Sequence, residues 1–131
     1  MAASEEATAR LLVRQNVPDA ARKATFHHCG TGIEYALKAL IMRREGLNQW
    51  PGRTDPGGYW THDLKKLKAR ALLKLTPTHP VAPAWSIMVR WDRGQDYLYD
   101  PKPLPRKVAL AYVEATFGPN GVVQWIKSEL T

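Results

Sequence analysis

The sequence predicts an all-α protein, a bundle of four to five antiparallel helices folded as one domain over residues 1–131. Three observations lead there. Apolar residues recur at three-four spacing, the period of a helix with one buried stripe. No segment sustains period-two alternation, and Val, Ile and Thr are not gathered into strand-length runs. Gly and Pro cluster between the periodic segments, as in "GLNQWPGRTDPGGYW" and "TPTHPVAP", where they mark loops. A chain of 131 residues suits one core and is too short for two independent ones.

The elements follow in order. The first helix is expected over Glu5–Gln15, with Ser4 as its cap and Glu5 and Glu6 at the positive end of its dipole. Pro18 interrupts it, because proline suits a first helical turn and not an interior. The second helix runs from Asp19 to Glu45 and stops at Gly46. Phe26, Gly30, Ile33, Leu37 and Leu40/Ile41 form its buried stripe. His27, Thr31, Glu34 and Lys38 form a polar stripe beside it. Gly32, Tyr35, Ala36 and Ala39 make a third face, small or flat enough for another helix to approach closely. Two apolar faces predict burial on both sides, one in the protein's own bundle and the other against a second copy.

The third helix is expected to start at Thr61, with Leu64, Leu67, Ala71 and Leu75 inward and Lys65, Lys66, Lys68, Arg70 and Lys74 pointing largely elsewhere. The fourth covers Pro83–Arg93, with Trp85, Met88 and Val89 on one side. Pro105 opens the fifth, with Val108, Ala111, Tyr112 and Ala115 inside. "FGPNG" breaks it, and "VVQWIKSEL" resumes it through Val122, Trp125/Ile126 and Leu130.

Composition narrows the function classes. Nineteen Lys+Arg against twelve Asp+Glu give a formal charge of +7, which favours an acidic partner, nucleic acid first. One cysteine cannot form an internal disulfide, which fits a reducing cytoplasm. No apolar run approaches the roughly 20 residues of a membrane span. The opening "MAASEEATAR" is acidic where a secretory signal is basic. The expectation is a cytoplasmic protein with no membrane partner.

No cofactor motif stands out: there is no Gly-rich phosphate loop, no Ser-His-Asp pattern and no RNA-recognition or zinc-finger signature. No metal is expected either. His27 and His28 are adjacent on a helix and point about 100° apart, so they cannot share an ion. The candidate binding residues are six. Glu34 and Lys38 are four apart in the favourable order on a helix that looks buried on two sides. His62 and Asp63 open the third helix, where Thr61 is the expected cap and Asp63 favours the dipole. Arg90 and Arg93 accompany Trp91, Tyr97 and Tyr99 in "MVRWDRGQDYLYDPKPLPRK", and arginines among stacking rings can hold phosphates and bases.

Taken together, "GIEYALKALI" followed after a Gly/Pro-rich loop by "THDLKKL" resembles the HEPN domain family. "VRWDRGQDYLYDP" looks like that family's Arg/Tyr-rich connection and "VALAYVEATFGPNGVVQWIKSEL" like its closing helix, so the resemblance spans Asp19 to Leu130. It implies a bundle of four to five helices that dimerises. It also implies one of two activities. Non-catalytic members bind nucleotides or pair with minimal nucleotidyltransferases; others are metal-independent endoribonucleases, often toxins or defence effectors. The nucleases carry Arg, four to six residues, then His. Arg22 followed by His27 or His28 fits that spacing here. In that scheme His27 or His28 moves a proton between the ribose 2′-hydroxyl and the leaving oxygen, and Arg22 stabilises the transition state. Three readings stay open: a nucleotide- or RNA-binding partner module, an endoribonuclease, and a structural dimer whose charge is incidental.

Overall fold

A computed structural model describes residues 2–14, 17–91 and 102–130. Seven helical segments and no strand occur among them: α1 (Ala2–Leu12), α2 (Asp19–Arg22), α3 (Ala24–Glu45), α4 (Leu64–Arg70), α5 (Ala82–Met88), α6 (Arg106–Phe117) and α7 (Val122–Ser128). The chain is all-α.

The long rod α3 is the axis of the bundle, packed by α1, α4, α6 and α7. Every member of its expected stripe is buried: Phe26, Gly30, Ile33, Leu37, Leu40 and Ile41. Gly46 ends it in the left-handed region at φ 68°, where glycine carries no Cβ penalty, and donates its N–H to the Met42 carbonyl. The rod is interrupted only at Lys23, which keeps helical dihedrals of φ −59° and ψ −27°. On the small-residue face Gly32 and Ala36 are buried, Tyr35 is half-buried and Ala39 is exposed, and at Gly32 the neighbours come from α6 and α1 of the same chain. A Cβ at Gly32 would sit 2.9 Å from the Phe117 ring and 3.4 Å from Glu5 Cβ.

Three boundaries and one inner face differ from those expected. Helix α1 begins at Ala2, so Ser4 lies inside its first turn and caps nothing; the two alanines before it are strong helix formers. Helix α4 begins at Leu64, and its cap is Asp63, not Thr61. The Asp63 carboxylate accepts from the backbone N–H of Lys65 at 2.9 Å and Lys66 at 3.4 Å. Thr61 Oγ1 instead accepts the Asp63 N–H at 3.1 Å. Helix α5 stops at Met88, and the rest of the expected fourth helix turns or lies outside the described residues. Helix α6 buries Ala109, Val113, Ala115, Thr116 and Phe117. Of the expected inner residues Ala115 is buried, Val108 and Tyr112 are partly buried against the core, and Ala111 is exposed.

The loop 46–60 is latched to the bundle by a small polar cluster. Arg70 donates to the Glu45 carboxylate from Nε at 2.9 Å and Nη2 at 3.2 Å, and to the Gly57 carbonyl at 2.6 Å. Tyr59 donates its hydroxyl to Glu45 at 2.6 Å, and the guanidinium lies 3.6 Å from the Tyr59 ring centroid. Hydrogen bonds from Arg70, then from Tyr59, hold the Glu45 carboxyl below its usual range. The same bond to Glu45 raises the Tyr59 phenol. The signs are opposite. The Glu45 contribution is present above the ordinary carboxylate pKa of about 4.3 and is lost as pH falls through the lower folded value. The Tyr59 contribution is present below about pH 10 and is lost as pH rises through the higher folded value. The cluster is solvent-screened, so Arg70→Met is expected to cost about 0.2–1 kcal/mol at pH 7. That difference should shrink as pH falls through the lowered Glu45 value, leaving the part due to the Gly57 carbonyl and the Tyr59 ring. Urea midpoints of both proteins across this range check it, and a cost unchanged in acid would exclude Glu45 as its source.

Candidate functional site

The candidate site is built around Glu34, halfway along α3. Its side chain is 1% exposed, although a buried carboxylate is costly unless several donors reach it. Two do. Lys38, one turn on, donates from Nζ to Oε2 at 3.0 Å, and His62 Nδ1 lies 2.8 Å from Oε1. The helical spacing supplies the first partner, and the cap of α4 supplies the second. Asp63 turns the chain into its helix, which leaves the preceding residue facing α3. Lys38 and His62 are themselves only partly covered, at 18% and 34% exposure. Aromatic rings back both side chains: the Lys38 ammonium lies 5.1 Å from the Trp50 ring centroid, and the His62 ring meets Trp60 edge-on at 5.9 Å.

His62 opens onto a cavity of about 410 Å³ lined also by Asp63, Lys65, Val89, Arg90 and Trp91. Trp91 is 3% exposed and packs against α3 where Gly30 gives it room. A Cβ at position 30 would overlap the indole ring, so this glycine is required by close approach rather than by backbone conformation. Lys65 and Arg90 are both exposed. The cavity thus has an apolar floor, a histidine held by a buried carboxylate and two basic side chains at its rim. The Asp63 carboxylate is occupied in the cap.

Of the sequence candidates, Glu34, Lys38 and His62 converge through direct contacts, and His62, Asp63 and Arg90 line one cavity. Arg93 lies outside the described residues, as do Tyr97 and Tyr99. Arg22 is buried, and its guanidinium donates to the Val17 carbonyl at 3.1 Å and the Leu104 carbonyl at 3.5 Å, tying α2 to two connections. His28 turns toward α1, with Nδ1 2.6 Å from Glu5 Oε2. His27 lies beside it, its ring 5.4 Å edge-on from that of His28 and 6.5 Å from that of Trp91. Arg106 donates to the Val13 carbonyl at 2.7 Å and serves the packing of α6.

Four contributors are not evident from the sequence. Lys65 falls among side chains expected to point elsewhere, while Glu5, Trp50 and Trp60 carry no expected contact across space. The Asp63 cap is the one signal that could have found Lys65, because it sets the direction of the first turn of α4. Cys29 is buried against Thr116, and burial pushes its thiol up to about 12, which makes it an inert core residue. Among the described residues no three His, Cys, Asp or Glu side chains come together as a metal site, and no helix is long and apolar enough to cross a membrane.

Compared with family models, curated proteins and solved structures, the chain matches none.

Proposed function

We propose that this chain is a HEPN-like cytoplasmic homodimer that binds a phosphate-bearing ligand, nucleotide or RNA, in the cavity between α4 and α5, alone or beside a nucleotidyltransferase. The observation that carries the reading is the Lys38–Glu34–His62 cluster, in which a 1%-exposed carboxylate holds His62 at the edge of a cavity rimmed by Lys65 and Arg90. A buried carboxylate spent on orienting a half-exposed histidine is hard to explain by stability alone. The basic rim suits phosphate, and the excess of seven positive charges speeds the approach of a polyanion.

The endoribonuclease reading has its own support, because a histidine held by a carboxylate is what general acid–base chemistry uses, and the described residues include His28 on Glu5 and His62 on Glu34.

One assay separates the readings. A labelled RNA 12-mer is titrated by anisotropy in EDTA at two salt concentrations, and the product is run on a gel. Lys65→Glu/Arg90→Glu is expected to weaken binding at least tenfold and to flatten the salt dependence. Binding by this variant equal to wild type would defeat the proposed cavity. Cleavage in EDTA that disappears in Arg22→Ala, His27→Ala or His28→Ala would favour the nuclease. Neither binding nor cleavage would leave a structural dimer, whose presence sedimentation reports.

A further inference from the structure

A second cavity of about 410 Å³ lies where Lys38 emerges from α3, outside the proposed phosphate site. Its walls are apolar, formed chiefly by Tyr35, Ala39, Met42 and Trp50, and among the described residues its charged lining is Lys38 and Lys127, with no carboxylate. Lys127 is exposed and makes no ion pair among the described residues. The Lys38 ammonium sits between the Glu34 carboxylate and the Trp50 ring.

We infer that this groove binds a small amphipathic acid, a hydrocarbon body ending in one carboxylate. Size, lining and charge agree on that class. Ligand cavities of roughly 300–1,000 Å³ are mostly apolar with a few placed polar groups, and here those groups are two cations. The hydrocarbon lies along Tyr35, Ala39 and Met42. The carboxylate takes the exposed Lys127 as its counter-ion. A second copy of the chain is the poorer occupant. Two like surfaces meeting about a two-fold axis would gather four lysines and bring no acid to them.

The test uses decanoate, decan-1-ol and decyltrimethylammonium, each below its micelle concentration, titrated calorimetrically into the full chain. Decanoate is expected to bind saturably at one site per chain, at least tenfold tighter than the alcohol, with no saturable binding of the cation. Ala39→Trp, at an exposed position of α3, fills the groove and should abolish binding. Lys127→Glu should weaken it about fivefold or more with the thermal melt unchanged. Lys65→Glu/Arg90→Glu should leave it intact, which separates this site from the phosphate cavity. Equal affinity for acid and alcohol would overturn the inference, as would decanoate binding that survives Ala39→Trp. A dimer in sedimentation that Ala39→Trp dissociates would also overturn it, because the groove would then belong to a second copy.

Discussion

Leu37→Ala should lower the unfolding free energy by about 3–5 kcal/mol, the upper part of the range for a buried leucine truncated to alanine. Leu37 is fully buried in the middle of α3. The size of such a loss depends on how far the surroundings collapse into the space left. Here α3 is held from several directions by α1, α4, α6 and α7, so no single neighbour can move in without leaving the others. Ile33, Leu40 and Ile41, also fully buried, extend the same stripe and fix the flanking turns. A domain of this length is stable by roughly 5–15 kcal/mol, so the variant should be partly unfolded near body temperature. Leu11→Ala is the control, since Leu11 is 50% exposed and should change stability by no more than about 0.5 kcal/mol. Urea denaturation followed by circular dichroism measures both. A loss under about 1 kcal/mol at Leu37, below the range for a truncated core leucine, would mean that α3 is not the axis of the bundle.

That axis was legible because it rests on local periodicity. Six apolar positions at helical spacing between Phe26 and Ile41, closed by Gly46, can be read without knowing what they pack against. The Glu34–Lys38 pair was legible for the same reason, since i and i+4 are neighbours on any helix. The partner across space was not. His62 joins Glu34 from 28 residues away, after a Gly/Pro-rich loop whose path no spacing rule sets. Gly30 shows the same limit. It reads as one more small residue in a buried stripe, yet its reason is the ring of Trp91, far along the chain. Two misreadings had ambiguous local signals. Thr61 and Asp63 are both good caps two residues apart, and only the carboxylate reaches the N–H groups of the first turn. In "RKVALAYVEATF" three alanines give no size signal, and packing against α3 and α5 buries Ala109 and Ala115 while it leaves Ala111 exposed.

Glu34→Ala is expected to cost about 1.5–3 kcal/mol, the balance of two opposing effects. Burying the carboxylate to 1% exposure carries a desolvation penalty of several kcal/mol, which its contacts with Lys38 and His62 offset. Truncation removes the penalty and the bonds together. The usual cost of about 3–5 kcal/mol for breaking a buried pair comes from the charge left behind without water. Here Lys38 and His62 are 18% and 34% exposed and can turn to solvent, so the loss falls to the level of hydrogen bonds to a charged group. Glu34→Gln sharpens the test because it keeps the volume. Lys38 offers only donors, so the amide oxygen must face it and the amide NH₂ must face His62. With Glu34 the Nδ1 atom of His62 donates to a carboxylate oxygen; with Gln it must accept. The proton therefore moves to Nε2 in the variant, and the ligand meets a different imidazole. Side-chain ¹⁵N spectra of His62 distinguish the two tautomers. The expected result is an exchange of protonated nitrogen on Glu34→Gln, with a smaller stability loss than Glu34→Ala and weaker binding of the RNA 12-mer. An unchanged tautomer would show that Glu34 does not set the imidazole, and the buried carboxylate would then have no role at the cavity beyond packing.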